Sequence, residues 1–390
     1  MSTDPMGQPA ESSCAPPCAH DFHGAVRAQC GQLRDSALGA QRGRWHSRST
    51  PAEGRILHIQ LILDPHLPPQ RLAELGALAE RHGIDAVWTS SLLGCRDPFL
   101  SFVPLAQATR RIRLGPIAVN PFDTHPARIA MALLTLNELA GGRAQVVIGG
   151  GGEALEGLGL APRRRVRAVH ECIELLRTAA SGVRGDYAGE IFRTRGFACT
   201  WASASPPPLW IGANGPQMLA MAAKHADGIM LSDLPAGLAA TAIARASAVR
   251  SAQGGSRALM FSNFTAWHVY DDAARAREEA RRWLAYRGLF RRWVCTTFIS
   301  DAEYDLLEAR TAVFYRWAQG GPAVEDLPPG LLDRLVDHLT LTGTPGRLEP
   351  VLQHLEDQRR AGLTHIALRL YQDVERSIEL IGREVVPRFA

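Results

Sequence analysis

Lysine is almost absent from this chain: Lys224 is the only one among 43 lysines and arginines, so arginine carries the positive charge. The formal net charge of +4 is small for 390 residues. No basic stripe is interleaved with aromatics, and no nucleic-acid partner is expected. Long apolar runs are missing too. None approaches the roughly 20 residues that span a bilayer, and the first fifty residues lack the apolar segment of a secretory signal. No membrane partner is expected, and the cytoplasm is the expected compartment. The seven cysteines are an odd number in a long chain; they suggest no disulfide framework and read as reduced thiols. What the chain does have is apolar content, 46% of its residues, enough for one large α/β domain or two smaller ones.

Residues 1–53 are rich in Ser, Gly, Pro, Ala, Arg and His without periodicity, and by composition read as a disordered or irregular arm. Cys14, Cys18, His20, His23 and Cys30 fit no regular zinc spacing, so no metal site is expected.

From residue 54 to the end the pattern is repetitive. Extended apolar runs over His58–Leu63, Ala86–Thr89, Ile112–Val119, Ala144–Ile148, Leu209–Gly212, Gly228–Leu231, Leu259–Val269 and His365–Leu370 predict strands. Helical periodicity falls between them, over Pro68–His82, Arg128–Leu139, Arg163–Ala179, Gln217–His225, Leu238–Ala252, Ala273–Tyr286 and Asp373–Val386. Eight strands alternating with helices is the count of a (β/α)8 TIM barrel, with a doubly wound sheet as runner-up. Two stretches break the repeat: a hairpin near 186–200 and an aromatic-rich helical insertion near 288–338. The insertion suits a substrate lid, a subunit contact or a helical pair packing on itself.

The fourth run ends in VVIGGGGEAL, where Val146 to Ile148 meets Gly149 to Gly152 and then Glu153. In a barrel this is a C-terminal strand end, the face on which active sites are built. Glycine backbone lets a ligand approach closely and presents N–H groups to it. A dinucleotide fingerprint would open a helix at once near the start of a βαβ unit; here the helix is expected only from about Pro162. The fifth run ends IGANGP and leads into a helix, a phosphate cradle or a plain turn. In DTHP, Asp123 and Thr124 read as caps, Pro126 as a first-turn residue, and His125 as packing.

The segments LGPIAVNPFDTHPARIAMALLTLNELAGGRAQVVIGGGGEALEGLGL, PPLWIGANGPQMLAMAAKHADGIML and TGTPGRLEPVLQHLEDQRRAGLTHIALR together resemble the bacterial luciferase-like superfamily of flavin and deazaflavin oxidoreductases. Within it the likeness is to the methylenetetrahydromethanopterin reductase type, which uses coenzyme F420. The resemblance implies a luciferase-like TIM barrel and a small-molecule substrate, and a homodimer is expected. It further implies a non-prolyl cis peptide at Ile117–Ala118 behind the cofactor ring. Asn120, Gly151, Gly152 and Glu156 would meet the ring or side chain, and Ala213, Asn214, Gly215, Pro216 and Gln217 its phosphate end. Glu153 matches an acid/base glutamate of related deazaflavin sugar-phosphate dehydrogenases; a solvated loop residue is the other reading.

Two departures bear on mechanism. Many relatives end the second strand with Asp-His, where this chain has Ser90 and Ser91, able to hydrogen-bond a ring carbonyl but not to act as acids. The reductases also keep a glutamate in the first strand, where Ile62 stands. The expected function is hydride transfer between reduced coenzyme F420 and a C=N or C=C bond, with Glu153, Ser90 and Ser91 as the catalytic candidates. A reduced-FMN monooxygenase on the same fold and a barrel retained only for binding or assembly are the alternatives.

Overall fold

The computed structural model describes residues 56–390 apart from 204 and 255–257; at 153 and 154 it describes the backbone but not the side chains. The expected arm over 1–53 and its Cys/His set lie outside the described residues.

Eight parallel strands form the barrel: β1 (His58–Leu63), β2 (Ala86–Ser90), β3 (Arg113–Ile117), β4 (Val146–Ile148), β5 (Leu209–Gly212), β6 (Gly228–Ser232), β7 (Met260–Val269) and β8 (His365–Leu370). The hydrogen-bonded path runs β3, β2, β1, β8, β7, β6, β5, β4. The β3 and β4 ends of that path meet through bridges Leu114 to Ala144 and Val119 to Ile148, so the ring is nearly closed. A doubly wound sheet, whose edges stay apart, is thereby excluded.

The strands are largely apolar on both faces because helices cover the outside and side chains fill the inside, with buried polar residues such as Gln60, Asn263 and His268 among them. On the outer face, the helix Pro69–Arg81 buries Leu72, Leu75 and Ala79, the positions its spacing predicts. On the inner face Ile62, Trp88, Ile117, Val147, Trp210, Met230 and Ala367 pack on one another, each from a different strand. Such a set can only be a layer across the barrel interior.

Several features differ from the sequence reading. A helix opens directly after the glycine run, at Glu153–Gly157, with the long helix Arg165–Ala180 following; the first is too short to show periodicity. His125 itself caps the helix Pro126–Leu139, its Nδ1 accepting from Ala127 N–H at 3.2 Å, so Asp123 and Thr124 are not the caps. Helix Val103–Ala108 and strand Thr340–Gly343, which pairs with β7, are additional.

The hairpin after the fourth strand is antiparallel, Gly185–Ala188 with Arg193–Phe197. The later insertion folds as helices Arg292–Cys295, Asp301–Glu308, Thr311–Ala318 and Leu331–Leu339. No described helix is long and apolar enough to cross a membrane.

Candidate active site at the barrel mouth

Side chains alternate along a strand, so the residue two beyond each member of the interior layer faces the same way, toward the C-terminal mouth. Below them Ile62 and Trp88 are wholly buried, with Trp88 Nε1 donating to Gln60 Oε1 at 3.0 Å. Ile62 is therefore floor. It has no polar atom to move a proton.

One wall of the mouth forms where β3, β4 and β5 end. The Ile117–Ala118 peptide is cis. Beyond it Val119 N–H donates to Val147 O at 3.0 Å and Gly149 N–H to Val119 O at 2.8 Å, which ties the two strand ends together. A Cβ on Gly149 would sit 3.1 Å from that of Ala118. Gly151 has φ of +76°, and a Cβ there would fall 2.1 Å from Leu155. A side chain at 149 would press on Ala118, and the backbone conformation at 151 is one that glycine adopts freely, while Gly152 is exposed and has open space around it.

The same wall continues onto β5. Gly150 lies against Met218 and Arg165. The helix Pro216–His225 opens at Gly215 without a side-chain cap, and Gly215, Pro216 and Gln217 are exposed. Its first N–H groups have no intrahelical acceptor, as at any helix start. Asn214 Oδ1 accepts from Ser232 N–H at 3.1 Å and Ala213 N–H donates to Met230 O at 3.0 Å, so these two residues fix the turn to β6. Beside the helix start is a cleft of about 580 Å³ lined by Arg164, Arg165, Arg167, His170, Gln217 and Met221. Arg164 pairs with Glu190 and Arg167 with Glu171 and Glu190, whereas no ion pair is seen for Arg165 among the described residues.

Other candidates are placed differently. Ile117 turns its side chain into the interior layer, leaving only its backbone to the mouth. Asn120 is buried and committed to its own loop, its Oδ1 accepting from Phe122 and Asp123 N–H and its Nδ2 donating to Asp123 at 2.6 Å. Glu156 is exposed. Glu153 begins its helix one residue after the glycines, and its side chain lies outside what is described. Ser90 is half-buried two residues past Trp88, and Ser91 N–H donates to Ile117 O at 3.1 Å.

Sequence reasoning did not single out the polar groups on the opposite wall. Asp64 follows β1, and its Oδ1 lies 3.0 Å from His66 Nδ1; His66 Nε2 in turn lies 3.3 Å from Cys95 Sγ. Arg369, His268 and Tyr371 come from β8 and β7 or just beyond, and the His268 and Tyr371 rings stack at 4.8 Å. Burial, then Arg287, lowers the His268 pKa to about 3, so its imidazole is neutral. A signal for Arg369 was present: an arginine inside an otherwise apolar strand.

A family model described as luciferase-like monooxygenase matches residues 46–365. The chain is 30% identical over 322 residues to 5,10-methylenetetrahydromethanopterin reductase of Archaeoglobus fulgidus, covering 80% of this chain and 93% of that one. It is 33% identical over 179 residues to an F420-dependent glucose-6-phosphate dehydrogenase of Rhodococcus jostii, covering 42% of this chain and 52% of the relative. The structure of the coenzyme F420-dependent tetrahydromethanopterin reductase of Methanopyrus kandleri superposes with a TM-score of 0.72 at 22% identity, covering 86% of this chain and all of that one.

Proposed function

The chain belongs to the luciferase-like monooxygenase family, and on that premise we propose that it is an oxidoreductase passing hydride between coenzyme F420 and a C=N or C=C bond of a small organic substrate. One observation carries the reading: the β3, β4 and β5 ends form a wall of bare backbone, from Ala118 through Gly149–Gly152, beside an uncapped helix start. A flat ring fits against backbone without side chains, and an anionic cofactor tail fits free helix N–H groups next to Arg165.

When bound, the cofactor supplies a hydride carrier that reacts poorly with oxygen. The chain's own part is orientation, exclusion of water and proton handling. The Ile62, Trp88, Val147 and Trp210 floor keeps water from below the reacting atoms. Ser90 offers a hydroxyl to a ring or substrate oxygen. With Ile62, Ser90 and Ser91 where relatives keep ionisable groups, we assign the proton to Glu153, carried on the helix that closes the glycine run. The relatives named above support the cofactor, one as an F420-dependent dehydrogenase by its name and one as a reductase.

Titrating the purified chain with coenzyme F420 and FMN in parallel tests this reading. The expected result is micromolar binding of F420, seen in its absorbance, with FMN much weaker. Tight FMN binding without F420 binding would replace it with the FMN-dependent monooxygenase. Binding of neither would leave a barrel with only a binding or assembly role.

A further inference from the structure

In the ring, β8 stands opposite β4, so the side of the mouth centred on β8 faces the glycine wall. Hydride transfer as such asks for nothing charged there, yet this side holds three arginines against two carboxylates.

Arg369 lies two residues past Ala367 of the interior layer, its side chain 12% exposed. Its nearest carboxylate oxygen is Asp64 Oδ2 at 3.7 Å, beyond hydrogen-bonding distance, and its Nη1 has no partner among the described residues. Its guanidinium sits 5.3 Å from the centre of the Tyr371 ring and is hydrogen-bonded to that residue's side chain. Arg287 comes from the other side, 8% exposed, stacked 4.3 Å over Phe264. One of its nitrogens, Nη1, reaches Asp233 at 3.3 Å, while Nε is buried and has no partner among the described residues. Asp233 is shared with Arg291 at 3.6 Å. The two guanidiniums repel one another, and both act on Tyr371. His268 Nε2 is a third buried nitrogen without a partner among the described residues. Its Nδ1 lies 3.3 Å from the Tyr270 hydroxyl, so one ring nitrogen is engaged and the other is left to a ligand.

A buried guanidinium without its counter-charge costs several kcal/mol. Asp233 neutralises only one of the pair that shares it, and Asp64 is half-exposed and already bound to His66. Even with Tyr371 on Arg369, three buried nitrogens of the corner lack a partner among the described residues. We propose that Arg287 and Arg369 form an oxyanion subsite that receives a carboxylate or phosphoryl group of the substrate and holds its reducible bond toward the glycine wall. This rests on the mouth being the reaction site as argued above, and it deepens that reading by giving the substrate an anionic group. The cofactor's own phosphate is not the occupant, because the cradle assigned to it is at β5 across the ring.

Inorganic phosphate and acetate serve as probes, titrated by calorimetry into the full chain first saturated with coenzyme F420, so that the β5 cradle is filled. Millimolar binding of one of them is expected, weakened about tenfold by Arg369→Gln, since charge-assisted pairs are lost. Asp64→Asn is expected to tighten it about threefold, because a competing negative charge is removed. A variant that fails to fold cannot tighten binding, so Asp64→Asn decides the matter if Arg369→Gln is unstable. Absence of binding in the saturated chain, or binding that both substitutions leave unchanged, overturns the subsite. The cofactor reading is judged separately from the absorbance titration: F420 binding without oxyanion binding sinks the subsite alone. Arginine-dependent oxyanion binding in a chain that takes no cofactor upholds the subsite and sinks the hydride-transfer reading.

Discussion

Cys95 Sγ lies 3.3 Å from His66 Nε2, on loops that follow β2 and β1. With Asp64 3.0 Å from the other ring nitrogen, thiol, imidazole and carboxylate stand in line. Burial and the Asp64 charge push the Cys95 thiol above its ordinary value, and Arg369 and Arg96 only partly offset them. The thiol is therefore expected to stay protonated at neutral pH and to donate to His66. Iodoacetamide rates against pH, with the modified residue identified by mass spectrometry, should show Cys95 alkylated more slowly than a free thiol. Asp64→Asn should speed it severalfold. Rapid alkylation in mildly acidic buffer would instead indicate a thiolate paired with imidazolium.

Glu153→Gln tests the proton assignment. Loss of a positioned general acid or base typically costs 10² to 10⁴ in rate, so with an identified substrate kcat should fall by about that range. The cofactor Kd should change by less than about threefold, as no charge-assisted pair to the cofactor is assigned to it. Unchanged turnover would move the proton to another group, and the Cys95 and His66 pair would be next to examine.

Arg165, beside the helix start and in no ion pair among the described residues, is expected to help hold the cofactor's anionic end. Arg165→Ala should raise the cofactor Kd about tenfold, the scale of one charge-assisted hydrogen bond. The effect should shrink at high salt as screening grows. Equal affinity in the variant at low salt would place that end elsewhere.

Glu171, wholly buried on the helix Arg165–Ala180, pins the hairpin. Its oxygens accept from the N–H groups of Glu190, Ile191 and Phe192, each at 2.9 Å, and from Arg167 Nε at 2.7 Å. Burial alone would raise its pKa, but the Phe192 N–H, Arg167 and the neighbouring N–H groups outweigh it and hold the carboxyl below 4.5. A depressed folded pKa stabilises the fold above the unfolded value, and the contribution is lost as pH falls through the folded one. Glu171→Ala should therefore cost about 3 kcal/mol in urea unfolding at neutral pH, since buried donors lose their acceptor. The difference from wild type should narrow as the buffer is taken below pH 4.5. A difference that does not depend on pH would mean that packing, not charge, holds the hairpin.

Much of the architecture was legible in one dimension. The extents of β1, β5 and β8 match their predicted runs, because strands buried on both faces are predominantly apolar and stand out even where Gln60 or Arg369 interrupts them. The glycine run was also legible as a wall of the mouth, since its position after the fourth strand follows from counting. Short elements were not: Glu153–Gly157 spans little more than one turn, too little for a period to appear. His125 as a cap was missed because its better-known neighbours Asp123 and Thr124 drew the assignment, and only the backbone path decides which side chain reaches Ala127 N–H.

By itself, then, the chain's alternation of apolar runs and helical periods determined a (β/α)8 barrel with its glycine-lined strand end. Which polar groups meet at the mouth was decided by closure of the ring. Asp64 and Arg369 come from the first and last strands, and become neighbours only because β1 pairs with β8 in a register that sets Ile62 beside Arg369. Arg287 reaches the same corner from an insertion outside the repeat. Local sequence encodes which face a residue takes; the pairing of distant strands encodes what it faces.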